Sequence, residues 1–114
     1  MTKALSTLLI LSFIGIASCK KDSGGGGTGS VCDTNKAFAA NVIPIFQAKC
    51  ATTGCHAAFS LNGPGPLVNH GQIAGASASI RVAVSNGTMP QGGSLTTAEK
   101  NSIICWIDSG APDN

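Results

Sequence analysis

The stretch Cys50-Ala51-Thr52-Thr53-Gly54-Cys55-His56 contains two of the five cysteines of this 114-residue chain and one of its two histidines. Four residues separate the two cysteines, and the histidine follows the second cysteine directly. Thiols and imidazoles are the side chains that most often bind soft and transition metals. The chemistry of the chain is therefore expected to be concentrated in this stretch.

Three interpretations of the stretch remain open from the residues alone. In the first, both thiols are bonded to a haem and the adjacent His56 ligates its iron, although such sites usually have two residues between the cysteines. In the second, a disulfide joins the two cysteines, and the histidine is left without a role. In the third, the stretch holds structural zinc, but the further candidate ligands Cys32, Cys105 and His70 lack paired spacing.

A methionine in a polar loop favours the haem interpretation. Met89 lies in the stretch Asn86-Gly87-Thr88-Met89-Pro90, 33 residues after His56, and is the only methionine besides the initiator. Methionine usually fills core gaps, for which a loop of this kind is a poor place. As a thioether ligand of a c-type haem it raises the reduction potential. The alternative is a loop methionine that only covers apolar surface.

The first 30 residues are predicted to be an export signal and a tether. Residues 1–18 combine Lys3 with an apolar run of signal-peptide length. The end of this run, Ile16-Ala17-Ser18-Cys19, resembles the lipobox of bacterial lipoproteins, which implies that Cys19 is lipidated; the alternative is an ordinary signal peptide with a chance cysteine. Residues 20–30 are rich in Gly and Ser, as in a flexible tether. We expect export to the bacterial cell envelope and attachment to a membrane by lipid.

Residues 31–114 form the predicted folded domain, in which four basic residues balance four acidic ones. Without a run of Lys and Arg, the chain has no basic surface to neutralise phosphates, which argues against a nucleic-acid partner. The whole chain has only four Phe and one Trp, and a domain this small is marginal without a staple or a cofactor. No nucleophile–base pair or carboxylate pair is evident, so no catalysis by the chain itself is expected.

Sequence periodicity predicts an all-α domain of three or four helices joined by long loops. Asn41 is a plausible N-cap for the first helix. A second helix is predicted at 77–86, with Gly87 ending it, and a weaker one at 70–74. The clearest begins at the capping box Thr96-Thr97-Ala98-Glu99 and carries an apolar face formed by Ile103, Trp106 and Ile107.

Residues 32–114 resemble a monohaem c-type cytochrome domain of class I, especially the lipid-anchored bacterial versions with a long spacing between the attachment cysteines. The resemblance rests on Val42-Ile43-Pro44-Ile45-Phe46, the attachment stretch at 50–56, Met89-Pro90 and residues 95–111. It implies a small fold of three or four helices around one covalent haem c. It further implies thioether bonds from Cys50 and Cys55, and iron ligation by His56 and Met89.

The resemblance also implies that the terminal helices pack together, which would bring Cys32 and Cys105 close. Export then favours a disulfide between them over two buried free thiols. His70 is an alternative distal ligand, but it is more simply interpreted as a partly exposed residue at a helix start. Arg81 and Trp106 are expected to be a surface charge and a packing aromatic rather than partners of a haem propionate.

Two functions of different classes follow from these residues. The first is an electron carrier that holds haem through His and Met and exchanges electrons with redox partner proteins whose identity the sequence does not give. The second is a haem-free module, held by disulfides, with a structural or interaction role on the same lipid anchor.

Overall fold

The computed structural model of the chain describes Cys32, Thr34 and residues 36–114. The predicted signal segment, Cys19 and the tether lie outside these residues. The described part is helical and contains no strand, which confirms the all-α class. A π-helical turn, Phe38–Val42, leads directly into the first of four α-helices. The helices are α1 (Ile43–Lys49), α2 (His70–Gly75), α3 (Ser77–Asn86) and α4 (Thr97–Asp108).

The first helical segment begins earlier than the sequence predicts. Asn41 is not the N-cap of α1, because residue 42 holds that position and Asn41 lies inside the π-helical turn. The turn forms because Asn114 lies at its start: the side-chain oxygen of Asn114 accepts from Phe38 N at 2.8 Å, and its backbone oxygen accepts from Ala39 N at 2.9 Å. These contacts satisfy amide groups that a helix start leaves unpaired. A residue 76 positions away in the chain thus moves the helix start.

The predictions for the middle of the chain are confirmed. Helix α3 spans Ser77–Asn86 as predicted, and Gly87 follows it with a φ of 77°, a left-handed conformation that glycine adopts without a steric cost. The short helix predicted at 70–74 is α2, and Asn69 caps it by accepting a hydrogen bond from Gln72 N at 3.0 Å. Local residues therefore set where α3 ends and where α2 begins.

Helix α4 has the predicted capping box. Glu99 N donates to the Thr96 hydroxyl at 3.2 Å, and Thr96 N donates to the Glu99 carboxylate at 2.8 Å. The pKa of Glu99 is lowered, chiefly by the hydrogen bond from the Thr96 backbone. The buried face of α4 is broader than predicted, because residues 103–106 are all buried.

The core lies where the π-helical turn and α3 pack on α4. Trp106 is fully buried at its centre, and its ring centroid is 5.5 Å from that of Phe38. The indole Nε1 of Trp106 donates to the Pro112 carbonyl at 2.8 Å, which ties the segment after α4 back onto the helix. The predicted packing role of Trp106 is confirmed. No helix among the described residues has both the length and the apolar character needed to span a bilayer.

Replacing Thr96 with alanine is expected to destabilise the domain by about 1 kcal/mol, because the N-cap hydroxyl of α4 is lost. For a domain of this size the melting temperature should fall by roughly 4–8 °C. Thermal unfolding followed by circular dichroism measures the change. The matched control is Thr97→Ala, since Thr97 is the next, exposed residue and lies inside the helix. Equal melting temperatures for the two variants would show that the capping box adds nothing to stability.

Candidate cofactor-binding site

The four residues that the sequence singles out at 50–56 and 89 lie around one cleft. Its larger cavity has a volume of about 380 Å³ and is lined by Cys50, Cys55, His56 and Met89. A smaller cavity of about 150 Å³ shares Cys50, His56 and Met89 with the larger one. The larger cavity alone falls within the roughly 300–1,000 Å³ typical of small-molecule and cofactor sites. Residues far apart in the chain therefore converge on one site.

The end of α1 positions Cys50 at this cleft. Its backbone N–H donates to the Phe46 carbonyl at 2.9 Å, so the thiol extends from the last turn of the helix. The four-residue linker then turns at Gly54, whose φ of 83° lies in the left-handed region. Asn62 holds the far side of the linker, because its side-chain amide donates to the carbonyl oxygens of Gly54 and Cys55 at 2.9 and 3.0 Å. The four residues between Cys50 and Cys55 thus form a closed, hydrogen-bonded turn.

His56 is the only buried polar or charged side chain among the described residues, with 7% of its surface exposed. Its Nδ1 lies 2.9 Å from the Gly65 carbonyl oxygen. A carbonyl oxygen only accepts hydrogen bonds, so Nδ1 is the donor of this bond, and in the neutral imidazole Nε2 then carries the lone pair. This is the arrangement in which a histidine acts as a ligand, with the partner of its other nitrogen fixing the ring.

Met89 reaches the cleft from the loop after α3. Its backbone N–H donates to the Ala83 carbonyl at 3.2 Å, which fastens the loop to the last turn of the helix. Thr88 adds to this closure, because its hydroxyl and its backbone N–H both donate to the Asn86 side-chain oxygen, at 2.8 and 3.0 Å. These hydrogen bonds at the end of α3 hold the loop that carries the Met89 thioether.

Both cysteines at the cleft are free thiols. Burial, with smaller contributions from the neighbouring Cys55 and Glu99, raises the pKa of the Cys50 thiol to about 11. Cys50 is thus a neutral thiol at neutral pH and not an activated thiolate nucleophile. The geometry gives no support to the disulfide interpretation of the attachment stretch.

The zinc interpretation lacks a set of ligands in the part of the chain that the structure describes. No three His, Cys, Asp or Glu side chains of that part form a group able to hold a metal ion. Cys32 and Cys105, two of the further candidates, are bonded to each other in a disulfide. His70 lines neither cavity.

The walls of the cleft suit a large group that is apolar with a polar edge. The smaller cavity is lined mainly by apolar side chains, including Phe46, Leu67, Ile80 and Val84. The larger cavity adds the polar residues Lys49, Asn62 and Gln91. An apolar interior beside a basic and amide-lined region matches a haem, whose ring is apolar and whose propionates are anionic. The residues present therefore fit the group that the sequence implies.

The remaining candidate residues lie away from the cleft. The Cys32–Cys105 disulfide has a Cα–Cα distance of 5.4 Å and agrees with the predicted pairing. His70 opens α2 as a partly exposed residue, with Nε2 2.9 Å from the Ala111 carbonyl oxygen. Arg81 is an exposed surface charge that binds both carboxylate oxygens of Asp108, at 2.6 and 2.9 Å, and it lines neither cavity.

Sequence reasoning missed two residues that build the site. Gly65 supplies the carbonyl that orients His56, and Asn62 fixes the linker between the cysteines. Both lie in a Gly- and Pro-rich loop that the sequence identifies only as irregular. A backbone carbonyl leaves no signature in the sequence, and a single asparagine in a loop has many common roles.

No protein family, curated protein or solved structure matches this chain.

Proposed function

We propose that the chain is an electron carrier that holds one covalent haem c and is anchored by lipid, outside the cytoplasm, to a membrane of the bacterial cell envelope. The observation that carries the proposal is the convergence of Cys50, Cys55, His56 and Met89 on one cleft. In the attachment stretch the cysteines are candidates for thioether bonds and the histidine for the proximal ligand. A cytochrome c-like fold is part of the same proposal.

The electron-transfer role follows from the ligands that the chain offers. His56 presents Nε2 because Nδ1 is engaged by Gly65, and Met89 presents its thioether from the loop after α3. When bound, haem iron supplies one-electron chemistry by alternating between the ferrous and ferric states. If His56 and Met89 both held the iron, the site would offer no further position for a substrate. The apolar walls lower the local dielectric and, with the methionine, favour the reduced form.

A haem-free module is the second candidate, because the Cys32–Cys105 disulfide can hold the domain together without a cofactor. The bond links the start of the domain to its last helix and stabilises the fold whether or not a cofactor is present. In this alternative the cleft has no covalent ligand, and the domain serves as a structural or interaction module on the anchor.

Expression in a host with active cytochrome c maturation separates the two candidates. The purified protein should be red, and its haem should remain on the chain during acid-acetone extraction. Replacing both Cys50 and Cys55 with serine should release all haem into the organic phase, because no thioether bond can form. The control is Cys32→Ser, which also replaces a cysteine but lies outside the cleft and should keep covalent haem. A colourless wild-type protein from this host would overturn the electron-carrier proposal.

A further inference from the structure

The attachment stretch is followed by a loop that exposes two large apolar side chains. Phe59 is 95% exposed and Leu61 is 99% exposed, whereas Val82, the next most exposed large apolar side chain of the described residues, is 62% exposed. They lie two positions apart in the chain. Neighbouring exposed apolar side chains are a candidate interaction site.

Hydrogen bonds hold the backbone of the loop that carries these side chains. The Ser60 hydroxyl donates to the Cys55 carbonyl, and Ser60 N donates to the Ala57 carbonyl at 3.1 Å. Phe59 has a φ of 65°, which bulky residues rarely adopt. Phe59 and Leu61, together called the apolar tip, therefore lie on a loop that is hydrogen-bonded to the segment carrying Cys55 and His56. Whatever binds the tip also sets the orientation of the cleft.

The tip lies in a region without charged residues. Residues 51–80 contain no Asp, Glu, Lys or Arg. Complementary charge often selects a protein partner, and this segment carries none. An uncharged segment tipped by Phe and Leu instead fits the boundary between lipid headgroups and acyl chains, where apolar side chains insert to a shallow depth.

The proposed anchor keeps a bilayer within reach of this surface. Cys19 and Cys32 are thirteen positions apart, and Cys32 is fixed to α4 by its disulfide. Thirteen residues of chain reach at most about 45 Å. A domain of this size has a diameter of about 30 Å. Any face of the domain can turn to the membrane, and the anchor makes even weak contact effectively intramolecular.

We propose that Phe59 and Leu61 dock the domain on the bilayer that holds its lipid anchor and thereby fix the direction in which the cleft faces. The inference rests on the anchor of the proposed function and not on its haem. Contact depends on apolar insertion and should therefore be insensitive to salt. The cleft is held at a constant orientation to the membrane surface, in place of free rotation on the tether.

Photolabelling of the mature, lipid-anchored protein tests this docking. The protein is reconstituted in phosphatidylcholine vesicles that contain a phospholipid with a photoreactive acyl chain. Trypsin cleavage after Lys49 and Arg81 yields residues 50–81 as one peptide and 82–100 as another. The first peptide should carry about tenfold more label than the second, because only its apolar tip enters the bilayer. High salt should not lower the ratio.

The double variant Phe59→Asn with Leu61→Gln should reduce the label on residues 50–81 to that on 82–100. Asparagine adopts a positive φ readily, so the loop backbone is preserved, and an unchanged melting temperature checks this. The matched control is Val82→Gln, which removes an exposed apolar side chain from α3 and should leave the labelling unchanged.

Three outcomes would overturn the docking proposal. The first is equal labelling of the two peptides in the wild type, or labelling that the double variant leaves unchanged. The second is cross-linking of the loop to a second copy of the chain instead of lipid. The third is a purified mature protein that carries no lipid and stays in the aqueous phase when vesicles are added. The colour of each sample reports on haem separately, so a failure of docking is distinct from a failure of the electron-carrier proposal.

Discussion

Replacing Met89 with alanine is expected to lower the reduction potential by on the order of 0.1–0.3 V, a fraction of the roughly 0.8 V range that axial ligands impose on haem proteins. In the proposed haem site the thioether would favour the reduced iron, and Met1 is the only other methionine of the chain. The weak absorption band at about 700 nm that accompanies His/Met ligation should disappear as well. Spectroelectrochemical titration measures both changes in one sample.

The matched control is His70→Ala, because His70 is the other candidate for the distal ligand. Its ring packs edge-on against Phe38 and Trp106, with centroid distances of 4.9 and 5.9 Å, and Met89 rather than His70 lines the cleft. The control should keep the potential and the band while losing roughly 1–2 kcal/mol of stability with its packing and hydrogen bond. A Met89→Ala protein with an unchanged potential and band would refute the methionine ligand, and loss of the band in His70→Ala would assign the role to His70.

Replacing Cys32 with serine is expected to destabilise the domain by about 4 kcal/mol in the chain-entropy model, since the bond closes a loop with a sequence separation of 73. That is a large fraction of the roughly 5–15 kcal/mol by which small domains are stable. The site of the change is favourable for the measurement, because Cys32 is exposed and serine there leaves no buried polar group. Chemical denaturation of oxidised wild type and variant gives the difference in unfolding free energy.

Comparison with Cys105→Ser separates the stability that comes from the disulfide bond from the stability that comes from packing of the Cys105 side chain. Cys105 is 3% exposed in α4, so serine there also buries a hydroxyl in an apolar core. It should therefore be the more destabilised of the two variants by roughly 1–3 kcal/mol. Each variant should expose one additional reactive thiol after unfolding. A thiol count equal to that of the wild type would contradict the disulfide.

Much of the helical structure could be predicted because its causes are local. Helix α3 ends at Gly87, where glycine adopts a left-handed conformation, and α4 begins at a capping box in which Thr96 and Glu99 are three positions apart. Such signals depend on residues within one turn of helix, so they can be read from the sequence. The start of the first helical segment could not be, because Asn114 supplies its hydrogen bonds from the other end of the domain.

The sequence by itself determined which side chains have the chemistry of a haem site: two thiols and an imidazole at 50–56, and a thioether at 89. Only the tertiary structure decided that they line one cleft, that the Gly65 carbonyl orients His56, and that His70 lies elsewhere. The physical reason is the range of the interactions. Capping and periodicity act over a few residues, whereas the distance between α1 and the loop after α3 is set by how all the helices pack around Trp106.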